Sequence, residues 1–572
     1  MTQSGWLKAA ATAIALFLPS MSAAQGVAGD YLAARQAGMT GDFEQAARYF
    51  DRALMFDPEN LEFMDRGALS YLSLGNVERA AVLGNRILES GQSSQVAQMA
   101  VMAERLGKDD YAGAIDMIAQ NRGVGPLADG LIAAWSQLGQ GDMSAALVAF
   151  EKVGETQGLE PFAVYHKALA LASVGDYEGA EKIFATDMAG GLQFTRRAVI
   201  ARLSILSQLE RNQDALDFLD QSFNAQMDPE LRSVKAALEA GETLPFNVVR
   251  SAKDGLAESF FSLAEALAQD ASDDFTLLYA RIAEHLRSDH FEAALMTAEL
   301  LERLGQYELA VDAYRDVERD DPAFHAAELG RAGALRAAGR TDAAVEVLES
   351  LAETHGDLPV VQSTLADLKR SLNEYDDAIE AYTKAIDLFD EPERSQWFLF
   401  YARGISNERS GNWEAAEADF RTALDLNPDQ PQVLNYLGYS LVEKQTKLDE
   451  ALDMIERAVA AEPGSGYIVD SLGWVLFKLG RYEEAVEHLE RAAELMPIDP
   501  VVNDHLGDSY WAVGRRTEAQ FMWRRALSFV DYENVSEDAD ADRIRRKLEV
   551  GLDQLLEEEG VDPLNMVTDD KN

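Results

Sequence analysis

Apolar residues recur at helical spacing along most of the chain, and the helices they mark come in pairs. Residues 467–497, YIVDSLGWVLFKLGRYEEAVEHLERAAELMP, read as an amphipathic helix, a tight turn and a second helix. Gly473 sits inside the first of these, where glycine costs about 1 kcal/mol relative to alanine, so the pattern predicts close approach of a second helix at that point. The Leu472-Gly473 dipeptide returns 34 residues later as Leu506-Gly507, and upstream as Leu437-Gly438. Such a period predicts stacked copies of one helix pair.

Residues at the predicted turns carry the same phase. Phe43, Val77 and Tyr111 are followed by Met143, Tyr177 and Asn212, then by Tyr307, Thr341, Tyr375, Trp413, Leu448, Tyr482 and Arg516, which makes thirteen units. A glycine precedes many of these turns (Gly41, Gly75, Gly175, Gly305, Gly339, Gly411, Gly480, Gly514), and an alanine follows three residues after the marker, as in Ala416, Ala485 and Ala519. Four residues beyond that alanine stands a large apolar side chain such as Phe420, Leu489 or Trp523. Prolines at 58, 322, 428, 463 and 497 close second helices, because proline cannot continue the hydrogen-bond ladder.

The stretches LGWVLFKLGRYEEAVEHLERAAELMP and LGDSYWAVGRRTEAQFMWRRAL resemble tetratricopeptide (TPR) repeats, whose pattern is W-x2-L-G-x2-Y, A-x3-F and P over about 34 residues. The resemblance implies an all-α solenoid of stacked antiparallel helix pairs. It also implies that the second, fifth, ninth, twelfth and thirteenth residues of each unit face a ligand groove. In the unit starting at Gly466 these are Tyr467, Asp470, Trp474, Phe477 and Lys478, and neighbouring units add Asn435, Tyr439, Asp504, Asp508 and Trp511. The same helical spacing fits Trp474 and Trp511 as packing residues between repeats. The family's clamp for an acidic C-terminus is matched only at Lys478 and Asn435, so an apolar or basic client segment suits this groove better.

Between the marked units, residues 246–290 lose the turn glycine and aromatic but keep apolar residues at helical spacing, at Phe260, Leu263 and Leu267. They read as degenerate repeats joining an N-terminal array, 25–245, to a C-terminal array, 291–530; a small separate helical domain fits the same pattern. After the last unit, Ile544, Leu548, Leu552, Leu555 and Leu556 lie on one face of a helix expected to cap the solenoid, ahead of an acidic tail within 531–572.

Composition narrows compartment and chemistry. Residues 1–24 carry Lys8, an apolar run, Pro19 and small residues at Ser22 and Ala24, the arrangement of a cleaved signal peptide. The chain has no cysteine, which excludes disulfides, thiolate metal sites, a cysteine nucleophile and a lipid anchor on cysteine. The expected place is the periplasm, with secretion as the alternative, and no membrane anchor. Ninety-nine acidic against 51 basic residues, a net charge of −48, argue against nucleic acid as a partner.

No nucleophile, metal or cofactor constellation is legible. His285 and His290, five apart, fall on different helix faces and read as solvated; the NRGVGP stretch at 121–126 lacks the lysine and strand of a phosphate loop. The short basic clusters, Arg196-Arg197 among them, read as surface charge. The expectation is therefore a binding scaffold without catalysis or cofactor. The units from 435 to 527 resemble Gram-negative cell-envelope TPR adaptors that bring peptidoglycan hydrolases to a carboxyl-terminal processing protease, which implies protein clients of that kind. The same fold could instead serve assembly of a secretion, pilus or polysaccharide-export machine.

Overall fold

A computed structural model describes residues 27–189, 195–223, 228–530, 539–561 and 564. The expected signal peptide and, Leu564 apart, the residues from 562 onward lie outside them. Among the described residues there are 31 α-helices, one short 3-10 turn and no strand. They form two compact units, one ending at Val347 and the other starting at Leu348.

Each of the thirteen turn markers is the first residue of the second helix of its pair. The turn before it requires a left-handed residue, and glycine adopts that conformation without steric cost, as at Gly480 (φ 76°) and Gly514 (φ 83°). Before Tyr111, Asn212 and Tyr375, where glycine is missing, the backbone keeps the same shape: Asp109, Glu210 and Asn373 stand at that position with φ of 57°, 60° and 62°. Tertiary packing thus imposes the turn even where the local residue resists it.

The glycines inside first helices act differently. A Cβ on Gly473 would lie 2.4 Å from Leu489 Cγ, one on Gly507 2.4 Å from Trp523 Cδ1, and one on Gly404 2.7 Å from Phe420 Cε1. Leu489, Trp523 and Phe420 are the large residues four places after the repeat alanine, and all three are fully buried. Bulk on the second helix therefore fills the space that the missing side chain leaves on the first. We expect Gly507→Ala to lower the stability of the second unit by about 1–3 kcal/mol, the usual cost of overpacking, read as a lower urea midpoint.

Residues 246–290 lie inside the first unit, packed on its earlier helices. Helix Ala252–Leu267 is buried without a break from Asp254 to Ala264. It packs on Gln95–Gly107, Pro126–Gly139 and Glu160–Ser173, and helix Asp273–Leu286 packs on Leu61–Ser73 and Gln95–Gly107. All four of these are first helices of their pairs, so within the first unit the array closes around its own later helices. Gly255 admits the Trp135 indole, whose ring atoms would lie 2.3 Å from a Cβ there. Lys253 donates to the Gly107 carbonyl at 2.8 Å, and Arg281 to the Ser73 carbonyl at 3.1 Å.

The centre of this packing is ionic. Glu258, buried, pairs with Arg197 at 2.7 Å, accepts from the Tyr165 hydroxyl at 2.7 Å and lies 3.3 Å from His290 Nε2. Burial alone would raise the Glu258 carboxyl; Arg197 and His290 hold it well below the usual carboxylate range. Two expectations are corrected here. His290 is buried and caps helix Phe291–Arg303, its Nδ1 accepting from the Ala293 amide at 3.2 Å, and Arg197 is a core residue rather than surface charge. His285 is half-buried.

In the second unit the cap is present, but as two helices, Ala541–Val550 and Leu552–Glu559, parted at Gly551 (φ 85°). Ile544, Leu552, Leu555 and Leu556 are buried as expected, and so is Lys547, whose side chain is 0% exposed.

Candidate functional site

Three consecutive first helices of the second unit, Pro431–Glu443, Gly466–Lys478 and Pro500–Ala512, pack side by side, the middle one touching both others. Together with the cap they enclose a pocket of about 640 Å³. Tyr439, Glu443, Trp474, Phe477, Lys478, Asp504, His505 and Asp508 line it from the repeats, and Arg543, Leu552 and Leu556 from the cap.

Trp474 is its most constrained side chain. Its ring stacks with Phe477 (4.9 Å, 2° between planes) and with His505 (3.9 Å, 9°), and Nε1 donates to Glu443 at 2.8 Å. The Lys478 ammonium lies 4.8 Å from the ring centroid and 3.6 Å from Glu443. At 9% exposure the ring is wall, not solvent-facing lure. Helical spacing places Phe477 three residues on, over the same face.

Behind the wall runs a buried polar chain. His505 Nδ1 donates to Asp470 at 2.9 Å. Lys547 donates to Asp504 at 2.7 Å and to Asp508 at 2.8 Å, and Asp508 also accepts from Trp523 Nε1 at 2.8 Å. Burial raises the Asp504 carboxyl, more than Lys547 lowers it. Burial pushes the His505 imidazolium down, but the Asp470, Asp504 and Asp508 carboxylates outweigh it and the net shift is upward.

A histidine whose folded value lies above its ordinary 6.5 contributes full stability below that value and loses it as pH rises through the folded one. Urea midpoints of the second unit are expected to fall as pH rises above the ordinary histidine value of 6.5, and His505→Gln to flatten that part of the profile.

Of the ten residues the sequence assigned to a groove, Tyr439, Trp474, Phe477, Lys478, Asp504 and Asp508 line the pocket. The other four do not. Tyr467 is 46% exposed away from it, and Asn435 is buried with no partner for Oδ1. Asp470 lies beneath His505. Trp511 lies under the cap: its Nε1 donates to Asp553 at 3.0 Å, Arg516 covers its ring at 3.8 Å, and Gly551 leaves room for it. Sequence reasoning missed His505 and Lys547. The signal for Lys547 was present: it lies three residues after Ile544, a basic residue on the face otherwise built of Ile and Leu.

Family models described as tetratricopeptide repeat match residues 31–95, 295–359, 361–391, 401–465 and 469–499. The TPR repeat-containing protein PA4667 of Pseudomonas aeruginosa is 27% identical over 173 residues, 30% of this chain; the match spans 28% of that relative's length. Among solved structures, the APC/C hetero-tetramer Cut9–Hcn1 aligns with a TM-score of 0.37 at 15% identity, over 91% of this chain and 96% of that one. Yeast Tom70 gives 0.32 at 13% identity, over 93% and 98%. YrrB, a TPR protein with an unusual peptide-binding site, gives 0.27 at 22% identity, over 32% and 93%. The helix pairs and the matched segments agree: this chain carries tetratricopeptide repeats in both compact units, stacked as an all-α solenoid in each.

Proposed function

We propose that the protein is an exported scaffold that holds a segment of a client protein at the pocket of its second unit, and that in the periplasm it presents peptidoglycan hydrolases to a carboxyl-terminal processing protease. Tetratricopeptide repeats are protein-binding modules, and the pocket is the observation that carries the reading. Aromatic walls at Tyr439, Trp474 and Phe477 adjoin carboxylates at Glu443, Asp504 and Asp508. Concave sites of this mixed kind, apolar with a few convergent polar groups, are where ligands bind. In the first unit the first helices at 61–73, 95–107, 126–139 and 160–173 are already packed on by helices Ala252–Leu267 and Asp273–Leu286, which favours the second unit as the one that receives clients.

The adaptor identity and the export rest on the resemblance of residues 435–527 and on the pattern of residues 1–24. A photo-crosslinking residue at Lys478, introduced into the full chain in a Gram-negative host, tests both. Capture of a processing protease or a murein hydrolase from the periplasmic fraction is the expected result. Capture of export-machine subunits instead would replace the adaptor role by an assembly role, and cytoplasmic protein retaining Met1 would overturn export.

A further inference from the structure

Lys547 has a cost that a capping helix need not incur. A solenoid end is closed by any apolar face, and replacing a buried ion pair by apolar side chains is often neutral or stabilising. Here a lysine with no exposed side-chain surface is set on two carboxylates, Asp504 and Asp508, that belong to the repeat helix Pro500–Ala512. In some proteins a buried ion sets which partner sits in a site rather than strengthening it.

The cap also fills the site incompletely. A space of about 640 Å³ stays open between it and Trp474, and Asp504 Oδ1 is buried without a hydrogen-bond partner. A half-satisfied polar network favours an occupant able to complete it. Of the exposed ion pairs around the cap, only Asp553 with Arg516 ties it to the repeats, while Arg543 with Glu559 and Arg546 with Glu558 join the cap's own two helices; such pairs contribute little each.

We infer that the Asp504–Asp508 face of the last repeats receives an amphipathic helix of a client protein bearing a lysine on its apolar side, and that the chain's own cap is the stand-in occupying this face until the client arrives. Rejection follows from the same charges. Asp470, Asp504, Asp508 and Glu443 repel an acidic segment and require a cation at the position Lys547 marks. The inference rests on the scaffold reading above, but it concerns which chemistry the face accepts and not which client supplies it.

A fluorescein-labelled synthetic peptide of residues 539–561 serves as the probe, titrated into the full chain by fluorescence anisotropy. The tethered cap competes at high effective concentration, so the native chain is expected to bind the peptide weakly. Asp553→Ala removes the exposed contacts to Trp511 and Arg516 without leaving a buried charge, and is expected to bind it about 3- to 10-fold more tightly. A peptide carrying Lys547→Met should lose at least about 10-fold on that same variant. Lys547→Met in the chain is a second opened form; if it does not fold, Asp553→Ala carries the test alone. Equal binding of the two peptides, or no binding by any folded variant, overturns the inference. Client cross-links at Lys478 that persist alongside that result would leave the scaffold reading standing and remove only this one.

Discussion

Replacing Glu258 by alanine is expected to cost the first unit about 3–5 kcal/mol, the loss measured when one partner of a buried ion pair is removed. Glu258 is enclosed by Arg197, Tyr165 and His290, and each of them would be left facing an empty carboxylate site. Arg197 would retain Glu292 at 2.6 Å, which tempers the loss without abolishing it. Because helix Ala252–Leu267 is the element that the first helices at 95–107, 126–139 and 160–173 pack against, the effect should spread. Hydrogen exchange should accelerate in those helices and stay unchanged beyond residue 348. A double substitution, Arg197→Met with Glu258→Met, should recover part of the stability, since two apolar side chains replace the two charges while Glu292 loses Arg197 and the Tyr165 hydroxyl loses its acceptor. A loss below about 1 kcal/mol in Glu258→Ala would show that the pair is solvated in practice and that apolar packing alone centres the unit.

Trp474→Ala is expected to lower the stability of the second unit by about 3–5 kcal/mol, as for other large-to-small changes at enclosed aromatic positions. The ring separates no solvent: it is stacked on Phe477 and His505 and bonded to Glu443. Its removal opens a cavity beside the His505–Asp470 pair, which then hydrates, so the pH profile of the unit should flatten along with the loss. Trp474→Phe keeps an aromatic plate and removes the indole donor, and should cost about 1 kcal/mol, the net worth of one hydrogen bond. Client capture through Lys478, measured on the folded fraction of each variant, separates packing from contact. Capture unchanged in Trp474→Phe would mean that the indole serves the wall alone. A melting temperature unaffected by Trp474→Ala would instead restore the ring as a free, solvent-facing anchor.

The helix pairs, their period and their turns were legible in the sequence because they are local. A glycine two residues before Tyr482 and a proline at 497 set turn and stop through backbone conformation alone, and the apolar period of each helix depends only on which face must leave water. Gly473 and Gly507 were legible as close approaches for the same reason: a glycine inside a helix demands a neighbour, and Leu489 and Trp523 are those neighbours. The aromatic part of the pocket was half legible, since spacing could bring Trp474 and Phe477 to one face but could not decide whether that face met solvent.

What only the tertiary structure decided were contacts between residues far apart in the chain. Glu258 meets Arg197 across 61 residues and Tyr165 across 93; Lys547 meets Asp504 across 43. Helical periodicity ranks a residue by its face, and on that scale Glu258 looks like a surface charge, as His290 did, while Lys547 falls on the apolar face with no sign of the carboxylates it meets. The burial of Glu258 and Lys547 depends on a partner of opposite charge arriving from elsewhere, and no period in the chain encodes that arrival. The sequence therefore determined the repeated module, whereas the fold decided which of its inner faces the chain keeps for itself: the first unit's, closed around residues 252–286, and the last repeats', covered by a lysine-bearing cap.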